Sequence, residues 1–143
     1  MRVLLCSAIF LLFFAGCKQE AKPKGNETGL TTDPPSAKVS FRCESLGEDE
    51  NGTPQHQVFL VVNDKSVKIA DVNSCDEIPK EEYHGREIPA NAIAACGGWW
   101  AGAGDYFYAL EYKGMIVVMK GWQDEGQEDT GYHYEQLTTV PIE

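Results

Sequence analysis

The chain has 143 residues, a length that fits one folded domain. At 43% hydrophobic and 10% aromatic it is too apolar for general disorder. A net charge of −10, with 22 acidic against 12 basic residues, argues against nucleic acid as a partner and against electrostatic attachment to anionic lipid.

The N-terminus carries a targeting signal. Met1-Arg2 gives a positive start, and VLLCSAIFLLFFA (Val3 to Ala15) is an uninterrupted apolar run. A membrane-spanning helix takes about 20 residues, so this run fits the hydrophobic region of a signal peptide instead. It ends in Phe14-Ala15-Gly16-Cys17, which resembles the lipobox of bacterial lipoproteins, with Phe14 where that family usually has Leu. The resemblance implies cleavage after Gly16 and transfer of diacylglycerol and palmitate to Cys17. The mature chain would then be held on a membrane by several acyl chains, which bind far more firmly than one. Lys18 follows the cysteine in place of Asp, which in lipoproteins of Gram-negative bacteria implies outer-membrane sorting and an extracytoplasmic domain in the cell envelope. Loss of residues 1–16 removes Arg2 and takes the formal side-chain charge to −11. Residues 17–37, the anchor cysteine and a Lys-, Thr-, Gly- and Pro-rich stretch with a single leucine, read as a tether. Such a chain spans roughly 25 Å root-mean-square.

The folded domain is expected over residues 38–143. KVSFRC alternates, with Val39, Phe41 and Cys43 on one face, and GEDENGTPQ (47–55) follows as a polar loop. QVFLVV (57–62), a turn at Asn63-Asp64 and an alternating 66–72 form a hairpin. DYFYALEY (105–112), a turn at Lys113-Gly114 and MIVVMKGW (115–122) form another, and a last strand lies within 132–140. Between Asp76 and Cys96 the period changes. IPKEEYHG and IPANAIAACGG each place Pro near a helix start and Gly past its end, which predicts two short helices. The fold class is therefore mainly β, an antiparallel sandwich or small barrel with a short helical insertion at about 76–96.

Three cysteines follow the anchor, an odd number that leaves at least one thiol unpaired. Cys43 shares the apolar face of its strand and fits an inert small hydrophobe. Cys75 and Cys96 bracket the irregular insertion, and joining them would stabilise the fold by about 3 kcal/mol on a chain-entropy model. Cys75–Cys96 is the favoured pair, with the other connectivities open.

Chemistry-bearing motifs are sparse. His56, His84 and His133 lack metal-ligand spacing, and there is no His-Glu-x-x-His, Cys-x-x-Cys or Gly-x-Ser-x-Gly. Gly102-Ala103-Gly104 lacks the third glycine and the strand–helix context of a dinucleotide loop. No catalytic set, metal site or cofactor is expected. The acidic stretches GEDENG (47–52) and QDEGQED (123–129) miss the ligand spacing of a calcium loop and read as solvated loops that guard strand edges.

ACGGWWAGAGDY (95–106) is the most unusual segment. In a strand, adjacent side chains point to opposite faces, so one of Trp99 and Trp100 is expected in the core and the other outside. Gly97-Gly98 frees the chain before the strand settles, which makes Trp99 the more exposed. Gly102 and Gly104 would leave a bare strip under an aromatic ring. The ring beyond the core, with Tyr106 and Tyr108, forms a candidate binding platform, since Trp and Tyr dominate interface hot spots.

These features lead to a lipid-anchored, non-enzymatic binding or envelope-associated domain, with a glycan or a basic protein as ligand. VSFRCE (39–44), SVKIADV (66–72) and WWAGAGDYFYA (99–109) are similar to the strand-Cys, alternating-strand and Trp-Gly-acidic segments of bacterial lipoprotein lysozyme inhibitors. That resemblance implies a small β-barrel on a lipid anchor and a cationic target enzyme. The family's cysteine near the C-terminus is absent. An envelope enzyme without a recognisable motif is the rival class.

Overall fold

Eight strands form: six match those expected from alternation, and two arise in or from the stretch expected to be helical. In the computed structural model, which describes residues 37–126 and 131–142, they are β1 (Val39–Glu48), β2 (Pro54–Val62), β3 (Lys65–Val72), β4 (Asp76–Glu77), β5 (Ala94–Trp100), β6 (Ala103–Tyr112), β7 (Met115–Asp124) and β8 (His133–Pro141). The signal peptide, Cys17 and the tether up to residue 36 lie outside the described residues.

β1-β2-β3 form one sheet and β4-β5-β6-β7-β8 a second, each strand antiparallel to its sequence neighbour. Three connections are two-residue hairpin loops: Asn63-Asp64 (φ 48° and 69°), Ala101-Gly102 (49° and 90°) and Lys113-Gly114 (50° and 76°). Positive φ at both central residues is what a type I′ turn requires, and its twist matches the strands it joins.

The sheets pack face to face. Val58 and Leu60 of β2, Phe107 and Ala109 of β6, and Ile116 and Val118 of β7 have no exposed surface. Each large side chain buried in this way stabilises the fold by about 1.5–3 kcal/mol. The architecture is thus a sandwich rather than a closed barrel. The other face of the three-stranded sheet mixes polar and apolar groups: the Arg42 guanidinium lies 4.5 Å from the centre of the Phe59 ring and pairs with Glu44.

The five-stranded sheet has a second buried face. Ala95, Tyr106 and Tyr108 point away from the sandwich core and pack under Ile78, Tyr83, Ile88 and Ala92. Tyr132 stands edge-on to Tyr106 at 5.2 Å, and Tyr134 edge-on to Tyr108 at 5.1 Å. The Tyr134 hydroxyl donates to the Arg86 carbonyl at 2.6 Å.

The covering segment differs from its expected form. Only two single 3₁₀ turns appear, Lys80–Glu82 and His84–Arg86, and the second expected helix is instead the strand β5 from Ala94 onward. The first breaks at Tyr83 into these two turns, and the left-handed Glu87 (φ 55°) ends it. The second loses because Ala95 and Cys96 are buried on opposite faces, which an extended chain allows.

Gly121 sits directly opposite Tyr134 on the outer face, and a methyl group there would collide with the tyrosine ring. Gly121→Ala is expected to cost about 1–3 kcal/mol, as overpacking does, measured by denaturant melts.

Candidate functional site

The β5–β6 hairpin ends the sheet, and its last two pairs are Trp99 with Gly104 and Trp100 with Ala103. Trp99 lies on the tyrosine face and Trp100 on the face toward the other sheet. The expectation that one ring is core fails: Trp99 is 39% exposed and Trp100 44%. Both covering layers stop short of the hairpin tip, so neither face offers a buried place there. Gly104 does receive an aromatic ring, since a Cβ at that position would come within 2.8 Å of the Trp99 indole and 2.7 Å of the Tyr106 ring. Gly102, by contrast, belongs to the turn rather than to a bare strip along the strand.

Tyr106 and Tyr108 do not join an exposed platform. They are 5% and 6% exposed, because the segment 78–92 covers their face. Burial raises the hydroxyl pKa of both and of Tyr83, and raises that of Tyr134 further. Of these, Tyr106 lies against Gly104 beneath the hairpin.

The site gains residues that the sequence did not single out. Strand pairing places Gly98, Asp105, Trp122 and His133 in one row across β5, β6, β7 and β8, on the same face as Trp100. Trp122 stacks on His133 with ring centres 5.6 Å apart, and Lys120 pairs with Asp105 at 3.1 Å. The alternation of MIVVMKGW was enough to set Trp122 beside Lys120 on one face, but its neighbours in the row depend on register. All three tryptophans therefore stand at one end of the five-stranded sheet.

Two clefts lie elsewhere. One of about 170 Å³ runs between β1 and the segment 77–83, past Phe41, Ile78 and Tyr83; another of about 130 Å³ is lined by Val62, Lys65, Val67, Val140 and Pro141. Both are well below the roughly 300–1,000 Å³ of a small-molecule pocket, so the exposed rings present a surface rather than a cavity.

Cys75 bonds to Cys43, not to Cys96, which stays a free, buried thiol. The insertion needs no staple of its own: Ile78 N–H donates to Ala95 O at 3.0 Å and Ile93 N–H to Ala109 O at 2.8 Å, fixing both of its ends. In the first acidic loop the Asp49 carboxylate accepts the N–H groups of Asn51 (2.8 Å) and Thr53 (2.9 Å). These bonds, Thr53 first, hold its carboxyl below the usual aspartate value. In the second loop Asp124 accepts the Gly126 N–H at 2.7 Å; residues 127–130 lie outside the described residues. The histidines do not converge: His84 lies in the covering segment, His133 on β8, and His56 on β2, with its buried Nδ1 lacking a hydrogen-bond partner among the described residues.

No protein-family model, curated protein or solved structure matches the chain. Fold and site define an antiparallel β sandwich with an aromatic hairpin at one end. No helix among the described residues is long and apolar enough to cross a membrane.

Three outcomes follow for this end of the molecule and its loops. Trp99→Ala, which strips the ring from Gly104 and Tyr106, is expected to cost about 1–2 kcal/mol, below the 3–5 of a fully buried aromatic. Trp100→Ala should cost about 1 kcal/mol or less, as exposed substitutions do, and thermal melts of the two variants test the order. Asp49 should titrate below its unfolded value when followed by carboxyl-resolved NMR. A lowered folded pKa means that its contribution to stability is present above about pH 4 and is lost as pH falls through the folded value.

Proposed function

We propose that the chain is an extracytoplasmic lipoprotein, anchored through Cys17, whose domain binds a partner through the tryptophan end of its five-stranded sheet. The observation that carries the binding reading is the pair Trp99 and Trp100, each more than a third exposed on opposite faces of a tight hairpin. Large rigid rings kept in water, at a turn whose backbone is already ordered, lose little conformational freedom when a partner covers them. Flat indole faces suit a sugar ring or the side chains of a protein, and Asp105 and Lys120 beside them supply polar contacts. The domain acts by binding rather than catalysis. The anchor reading rests on the apolar run and Phe14-Ala15-Gly16-Cys17.

Tryptophan emission of the mature chain, titrated with soluble peptidoglycan fragments and separately with lysozyme as a cationic protein, tests the site. Saturable binding of one of them is expected, weakened tenfold or more (about 1.4 kcal/mol) by Trp99→Ala or Trp100→Ala. Binding left unchanged in both variants would take the hairpin out of the site. Cys17→Ser should abolish acylation and membrane retention; wild-type protein released without acyl mass would overturn the anchor.

A further inference from the structure

The three cysteine sulfurs of the domain meet at the seam between the two sheets. Cys43 lies on β1 opposite Val58, Cys75 stands just before β4, and Cys96 lies on β5 opposite Phe107. They share one buried cluster with Val58, Val72 and Phe107. The three sulfurs lie within 4.8 Å of one another, with Cys43 and Cys75 joined and Cys96 carrying the free thiol. At that distance the free thiol lies beside the disulfide it would attack.

We propose that the three sulfurs form one exchangeable set, in which Cys96 displaces Cys43 from Cys75. The Cys96 thiolate attacks the Cys75 sulfur, the Cys75–Cys96 bond forms, and the Cys43–Cys75 bond breaks. Cys43 leaves as the thiolate and takes up the proton that Cys96 gave up. One disulfide and one thiol exist before and after, so the step consumes neither oxidant nor reductant.

The two isomers tie different parts of the fold together. Cys43–Cys75 links the three-stranded sheet to the chain entering β4, whereas Cys75–Cys96 lies entirely on the five-stranded side. Exchange thus removes the disulfide cross-link from β1 to the second sheet while leaving the redox state of the chain unchanged. Burial controls the step. Cys96 is 1% exposed, and desolvation raises its thiol pKa, so the attacking thiolate is scarce while the seam is closed. Opening of the layer near β1 supplies it.

The mature chain, held in mildly alkaline buffer with urea below the unfolding midpoint and with no added thiol or oxidant, tests the proposal. Samples are acid-quenched, fully unfolded, alkylated and mapped by peptide mass spectrometry. Label on Cys43 is expected in a fraction of molecules larger than the unfolded fraction measured by circular dichroism. A Cys43-labelled fraction no larger than the unfolded fraction overturns the proposal. As a second measurement, Cys43→Ser, oxidised in air, should join Cys75 to Cys96; a folded variant keeping two free thiols would equally overturn it.

Discussion

The middle of the five-stranded sheet is apolar on both faces, and the rest of the domain is arranged to cover it twice. Along β6, Phe107 and Ala109 point one way and Tyr106 and Tyr108 the other, none more than 6% exposed. A lone sheet could not keep both rows from water. The three-stranded sheet supplies one cover. The segment 78–93 supplies the other, although its two 3₁₀ turns are too short to stand alone. It is held where its ends bond to β5 and β6 and where Tyr134 reaches the Arg86 carbonyl near its middle. Exposure of the tryptophan hairpin follows from the same arrangement, since it is the part of the sheet that neither cover reaches.

The strands with polar–apolar alternation were legible in the sequence, as were the hairpin turns at Asn63-Asp64 and Lys113-Gly114. The stretch from Ala94 to Gly98 was not, because a strand of small residues buried on both sides has no polar phase and imitates the end of a helix. Of the site, Trp99 and Trp100 stood out by residue type alone. Tyr106 and Tyr108 were expected on an exposed platform and are buried, since a cover contributed by residues 78–92 cannot be deduced from their own alternation. Trp122 and His133 come together only through the pairing of β7 with β8, which local sequence does not encode.

The cysteines show how far an entropic argument reaches. Cys43–Cys75, with a sequence separation of 32, constrains the unfolded chain by about 3.7 kcal/mol, against about 3.4 for Cys75–Cys96. So small a difference cannot select a connectivity when native geometry moves such values as much. The choice lay in the crossing of β1 over the chain that enters β4, a tertiary fact. The reasoning that a loop bracketed by cysteines must be stapled failed because its backbone hydrogen bonds and its tyrosine contacts already hold it.

All the indole of the protein is gathered at one extremity. Trp99, Trp100 and Trp122 fall within three consecutive rows of the β5–β6–β7 register, and the opposite end of the sandwich has none. Intrinsic emission is therefore a local gauge. It will follow fraying of the hairpin tip and pass over loosening near β3 and the far ends of β7 and β8. Unfolding curves from emission and from far-ultraviolet circular dichroism can diverge for this reason alone, so their divergence would not by itself demonstrate a populated intermediate.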